Sequence, residues 1–210
     1  MDKEIVCTLK EIEKSYGPEH ALGPVSLFLE RGTVTGIYGP NGCGKSTLLS
    51  IITGILKPSA GKRETAGGRI CYVPQELALY PSLSGRDNLR FWAGIYGLRG
   101  KNAAEQVRAV LETVELTEKA ASPVETYSGG MKRRLNIAAA LLTPAELLVM
   151  DEPSAGCDVH SMDIILRVIR RCAENHCAVV LVDHSMEELE QVCDRILFME
   201  KGRILSERQL

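Results

Sequence analysis

No apolar run in this chain approaches the length needed to cross a bilayer, so a transmembrane helix is not expected. Neither sign of charge dominates. Lys and Arg number 25 against 27 Asp and Glu, a formal net charge of -2, which argues against a generally basic nucleic-acid surface. No C-x-x-C pair occurs among the seven cysteines at 7, 43, 71, 157, 172, 177 and 193. An odd, scattered set leaves a zinc site unsupported and a disulfide framework unexpected. Reduced thiols in a cytosolic protein are the plain reading, with Cys71, Cys172, Cys177 and Cys193 as small apolar core filler. The opening Met1-Asp2-Lys3-Glu4 carries both signs and no long apolar stretch follows, so no secretory signal is expected. There is no internal repeat and no low-complexity tract. What remains is a chain of 210 residues of ordinary globular composition, enough for one core with a small subdomain.

The most informative stretch is Gly39-Pro40-Asn41-Gly42-Cys43-Gly44-Lys45-Ser46-Thr47, which fits G-x-x-x-x-G-K-[ST]. It follows a plausible buried strand, Val34 to Tyr38, and precedes a plausible helix from Leu48. That strand–loop–helix setting is what makes the motif credible. Glycines allow a sharp turn and close approach of a ligand, and successive backbone N–H groups then form an anion cradle. A helix beginning near Lys45 adds its unsatisfied N–H groups and dipole. Lys45 supplies a mobile charge for outer phosphates, and the Ser46 hydroxyl is placed to ligate Mg2+. Cys43, beside them, is expected to be a thiol whose alkylation blocks activity and is prevented by a bound nucleotide.

Around this loop the pattern reads as α/β. Val6 to Leu9 and Val25 to Leu29 read as strands, with turns at Gly17-Pro18 and Gly23-Pro24. Lys57 to Gly61 ends the helix after the loop, and Ile70 to Val73 is a short strand. From Glu76 to about Arg134 the texture is helical, with a capping box at Ser84 to Asp87 and apolar spacing at 107, 110, 111 and 114. Leu147 to Met150 and Ala178 to Val182 are continuous apolar runs, as buried parallel strands require. Ser161 to Arg171 is a helix, Ser185 to Glu188 another capping box, and Ile196 to Leu205 a terminal hairpin.

Further residues carry chemistry at strand and helix ends. Asp151 and Glu152 follow an apolar strand, where ligands bind in a doubly wound sheet. Asp151 there would hold Mg2+ and Glu152 would orient or deprotonate water; a surface acidic pair is the alternative. Ser128-Gly129-Gly130 opens a helix as a second anion-binding end, or simply as an N-cap. Lys132, Arg133 and Arg134 behind it read most simply as a solvated face. Gln75 and His184 each follow a strand, and Tyr16 could stack on an adenine; each alone is equally compatible with a structural place.

Taken in this order, the elements resemble the ATP-binding-cassette ATPases over nearly the whole chain. Gly39 to Ser46 looks like the Walker A loop, Leu147 to Asp151 like Walker B, and Ser128-Gly129-Gly130 like the signature segment. Gln75 sits where the Q-loop glutamine belongs, His184 where the switch histidine belongs, and Ser154 to Asp158 looks like the D-loop. Tyr16 is similar to the adenine-stacking aromatic. The resemblance implies a phosphate-loop, RecA-like α/β core with an N-terminal antiparallel β subdomain and an inserted helical subdomain. It divides a single nucleotide-binding domain, 1–210, into core segments 1–75 and 135–210 and a helical insert, 76–134. It implies ATP held by Tyr16, Gly39, Pro40, Asn41, Gly42, Cys43, Gly44, Lys45, Ser46, Thr47 and Gln75, with Ser128, Gly129 and Gly130 reaching the ATP of a second cassette. Mg2+ would be held by Ser46, Gln75 and Asp151, and hydrolysis carried by Glu152, His184 and Lys45. Met131 and Cys157 depart from the family pattern, where glutamine and leucine are usual.

The function implied is an ATP-hydrolysing subunit at the cytoplasmic face of a membrane, peripheral, dimerising around two Mg-ATP. It would power transport, with export favoured, through a separate transmembrane permease, and no nucleic acid is expected as a partner. The alternative is a soluble cassette protein acting on ribosomes or DNA; such proteins generally carry two cassettes or long coiled coils. An ordinary phosphate-loop kinase would leave the signature segment and His184 unexplained.

Overall fold

The computed structural model describes residues 4–210. The described residues divide into two compact units, one of 4–72, 145–152 and 169–210 and the other of 73–144 and 153–168.

The first unit contains two sheets. Strands β1 (Ile5–Tyr16), β2 (Glu19–Glu30) and β4 (Ala60–Thr65) form the smaller one, in the order β2-β1-β4 and antiparallel throughout. Gly17-Pro18 makes the β1–β2 turn as expected, with Gly17 at φ 58°. Gly23-Pro24 does not turn the chain. It lies inside β2, where the register against β1 shifts between Leu22 and Val25. A bulge there tolerates a proline that cannot donate to the ladder. Strand β4, read from the sequence only as the end of a helix, is polar and largely exposed, so it carries no alternation to detect. Its pairing with β1, Cys7 to Thr65 through Lys10 to Lys62, makes it a strand.

The larger sheet has the order β5-β6-β7-β3-β8-β9, from strands β3 (Val34–Tyr38), β5 (Ile70–Val73), β6 (Leu147–Asp151), β7 (Ala178–Val182), β8 (Arg195–Glu200) and β9 (Arg203–Gln209). Strands β6, β7, β3 and β8 run parallel, and β9 closes antiparallel on β8. Every residue of β6 and β7 is buried, which is why both read as unbroken apolar runs. Helix α1 (Lys45–Thr53) buries Leu48, Leu49, Ile51 and Ile52 in the same core as Ile37, Val149 and Val180.

The second unit is helical: α2 (Gly85–Ile95), α3 (Gly100–Thr113), α4 (Gly129–Ala140) and the first turns of α5 (Val159–Glu174). It is wider than the insert drawn from sequence at 76–134, because α4 packs on α2 and α3 along its length. Ser84, Ser128 and a third serine, Ser185 of α6 (Met186–Val192) in the first unit, each cap a helix by accepting an N–H with the side-chain oxygen.

Several polar residues are buried in the first unit, and Arg195 is the one that ties its strands together. Arg195 is 4% exposed; its Nε donates to Thr35 Oγ1 at 3.0 Å, its Nη1 to Glu207 at 3.4 Å and its Nη2 to the Phe28 carbonyl. It thus links β8 to β3, β9 and β2. Arg195→Ala leaves the buried Thr35 hydroxyl and the part-buried Phe28 carbonyl without their donor, and is expected to lower unfolding stability by about 2 kcal/mol in a denaturant titration.

Candidate active site

The parallel register fixes the site. Ile37 of β3 and Asp151 of β6 both lie level with Val182 of β7, so the loops after these strands leave the sheet together. The loop after β3 runs from Gly39 into α1. Gly42 and Gly44 hold φ of 76° and 105°, and Gly44 caps α1 with backbone alone. A Cβ on Gly39 would collide with the Met199 carbonyl, whereas one on Gly42 would meet nothing within 4 Å. Gly39 is therefore a matter of close approach and Gly42 of conformation. The β8–β9 turn braces the loop from behind: Gly202 N–H donates to the Cys43 carbonyl at 2.9 Å.

Lys45 is 6% exposed and folds over its own loop, Nζ donating to the carbonyls of Gly39 at 2.7 Å and Pro40 at 3.0 Å. An ammonium has three donors, so one direction remains for a ligand. Pro40, Asn41 and Ser46 are exposed and Thr47 is half-buried. Cys43 corrects an expectation. It is 5% exposed and belongs to the hydrophobic core, so its thiol faces inward rather than toward a ligand.

At the end of β6, Asp151 is 5% exposed and accepts a hydrogen bond from the Ser46 hydroxyl. Burial pushes its carboxyl up from the ordinary range; the Glu152 charge adds to that, while Ser46, Lys45 and His184 oppose it. Its charge also helps burial push the Tyr72 phenol up to about 12. The residues fit a hard divalent cation: a buried carboxylate short of compensating charge, paired with a hydroxyl, is an all-oxygen donor set suited to Mg2+. Glu152 follows with φ 50°, a left-handed conformation uncommon outside glycine, fixed by its N–H bonding the Val182 carbonyl at 3.0 Å. Its carboxylate meets Nε2 of His184, a residue supplied by the loop after β7. Tyr16 ends β1 half exposed, with Lys14 Nζ 5.3 Å from its ring centre.

The second unit holds Gln75 and the Ser128 to Gly130 turn. Gln75 is exposed, in an irregular segment after β5. Ser128 caps α4 by accepting the Met131 N–H at 3.2 Å and, with Gly129, lies exposed at the helix tip. Gly130 is buried, and a Cβ there would strike Ser161 and approach Asp158 Oδ2 to 2.8 Å. It serves helix packing as much as any ligand. The basic triplet is not a solvated face. Arg134 is 6% exposed and donates to the Val114 carbonyl at 2.9 Å and the Glu115 carbonyl at 3.3 Å, the open carbonyl end of α3. Arg133 and Asn136 turn to loop carbonyls and amides. The sequence offered only the signal that these residues share α4 with small apolar ones.

A sequence model of the ABC transporter family matches residues 22–155. The chain belongs to the ABC transporter family. It is 42% identical over 208 residues to the linearmycin resistance ATP-binding protein LnrL of Bacillus subtilis, covering 94% of this chain and 67% of that protein. The Nod factor export ATP-binding protein I of Rhizobium etli is 35% identical, over 94% of this chain and 66% of its own length. The chain thus spans about two thirds of these relatives. Among solved structures, a dimeric ATP-binding cassette in a post-hydrolysis state with ADP and Pi matches at TM-score 0.87 and 26% identity, covering 97% of this chain and 98% of that one. The expected phosphate-loop fold is borne out, and so is an ATP-binding ATPase of the ABC class. No helix among the described residues is long and apolar enough to cross a membrane.

Two outcomes test this geometry. Gly130→Ala gains roughly 1 kcal/mol in helix propensity but must displace Ser161, which costs more, about 1–3 kcal/mol. The variant should be less stable than the parent, and Ser161→Gly should relieve part of the loss in thermal melts. In native-state maleimide labelling read by mass spectrometry, Cys43 should react far more slowly than half-buried Cys157, with ATP making little difference.

Proposed function

We propose that this chain is the motor subunit of an exporter, pairing with a second cassette and acting on a separate transmembrane permease. The observation that carries the reading is the convergence at one sheet edge of the glycine loop, the Ser46–Asp151 pair and the Glu152–His184 pair. Two relatives named for resistance and for export support the direction, and the dimeric cassette supports the pairing.

In this reading the loop N–H groups of residues 39–47 and the remaining N–H of Lys45 hold the β- and γ-phosphates of ATP. Tyr16 stacks on the adenine. Ser46 and Asp151 hold Mg2+, with Gln75 as the further ligand that the family resemblance assigns; bound there, the cation neutralises charge developing on the phosphoryl oxygens. Glu152 orients the attacking water and takes its proton. His184 fixes the Glu152 carboxylate by direct contact and would share in stabilising the charge that develops on the phosphoryl group. The exposed tip of Ser128 and Gly129, with buried Gly130 behind it, meets the γ-phosphate held by the partner cassette, so two chains complete two sites. The subunit sits at the cytoplasmic face of the membrane through its permease, and no part of the reading calls on nucleic acid.

Glu152→Gln keeps the size and shape of the side chain but removes the proton acceptor. ATP binding, followed with a fluorescent analogue, should change little, while steady-state hydrolysis should fall roughly 100-fold or more. Turnover at the parental rate would remove Glu152 from its assigned place.

A further inference from the structure

The segment from Pro74 to Tyr80, which carries Gln75, is neither helix nor strand. Side chains of the second unit hold its backbone instead. Asn136 on α4 accepts the Ala78 N–H at 3.1 Å and donates to the Pro74 carbonyl at 3.4 Å. Trp92 Nε1 donates to the Ala78 carbonyl at 2.9 Å. Asn88 brackets Tyr80, accepting its N–H at 2.7 Å and donating to its carbonyl at 3.0 Å. Arg133, also on α4, reaches two separate loops. Its Nη1 donates to the Gln75 carbonyl, and its Nε donates to the Ala155 carbonyl at 3.3 Å. Ala155 belongs to the loop Ser154 to Asp158, whose last residue caps α5 through the N–H and hydroxyl of Ser161, each at 2.9 Å.

We propose that Arg133 is a positioning residue of the ATPase, setting Gln75 and the 154–158 loop in register with the signature helix. The proposal rests on the reading of Gln75 and Ser128 given above. A guanidinium is planar and its donors form a fixed fork, so two carbonyls on one such group are held at a fixed separation. Arg133 follows the cap residue Ser128 by five positions on the same helix, so any tilt of the serine-tipped end is transmitted to both loops through that plane. Fold stability depends on it little. The side chain is half-buried, and Asn136, Trp92 and Asn88 continue to hold the segment without it. Lysine is a poor replacement, because one point charge on a flexible stem serves either carbonyl but does not fix the distance between them.

The test compares Arg133→Ala, Arg133→Lys and Glu152→Gln in the full-length chain, assembled with the membrane protein that copurifies with it. Hydrolysis is measured while ATP and Mg2+ are titrated separately, with thermal midpoints taken on the same samples. Arg133→Ala should lower kcat roughly tenfold or more and raise the Mg2+ concentration needed for half-maximal rate, with the ATP dissociation constant and thermal midpoint near the parent's. Arg133→Lys should recover little of the rate. Parental kcat and Mg2+ dependence in Arg133→Ala overturn the proposal, as does a rate loss matched by a lowered thermal midpoint, or full recovery with lysine. Undiminished turnover in Glu152→Gln instead overturns the underlying site reading, whatever Arg133 does.

Discussion

Parallel pairing of three buried strands is the constraint on which the rest depends. Because β3, β7 and β6 run the same way and in register, with Ile37 and Asp151 both level with Val182, their outgoing loops start from one line. A glycine loop, the carboxylates of Asp151 and Glu152 and the imidazole of His184, far apart in sequence, are thereby brought to a common edge without any one of them specifying the others. The complete burial of β6 and β7, apolar but for the terminal Asp151, is what secures that alignment: in a parallel sheet covered on both faces, a slipped strand would bury its polar flanks.

The site then spends stability at a few points. Glu152 is held in a left-handed conformation that glycine would adopt more easily, and Asp151 is buried with its carboxyl pushed up. The first aims the carboxylate at His184, and the second is offset in part by the Ser46 hydroxyl and the Lys45 charge. The second unit solves a different problem. Its irregular loops have no ladder partners, so Asn88, Trp92, Arg133 and Asn136 supply hydrogen bonds from helices to loop backbone. A set of polar side chains that looks like ordinary helix surface in a one-dimensional reading is in fact the scaffold of the loop bearing Gln75.

The errors of the linear reading share that origin. Residues whose pattern reflects their own element were legible: the strands of the parallel sheet, the serine caps, the glycine loop. Strand β4 was not, because its membership is decided by the neighbour β1 and not by its own polar composition. Gly23-Pro24 looked like a turn because those residues usually are one, yet a bulge absorbs them within β2. The Lys132-Arg133-Arg134 run looked solvated because charge usually is, yet Arg134 closes the carbonyl end of α3. Cys43 looked reactive from its neighbours in the chain, and the core claims it instead.

The order of motifs along the chain was enough to establish the family and the nucleotide it binds, because phosphate cradles and buried strands are written in local composition and spacing. Which of those residues touch one another was not. The Ser46–Asp151 and Glu152–His184 contacts, the inward turn of Cys43 and the double reach of Arg133 arise from packing between segments distant in sequence. Such contacts depend on relative placement in space, which no local periodicity encodes.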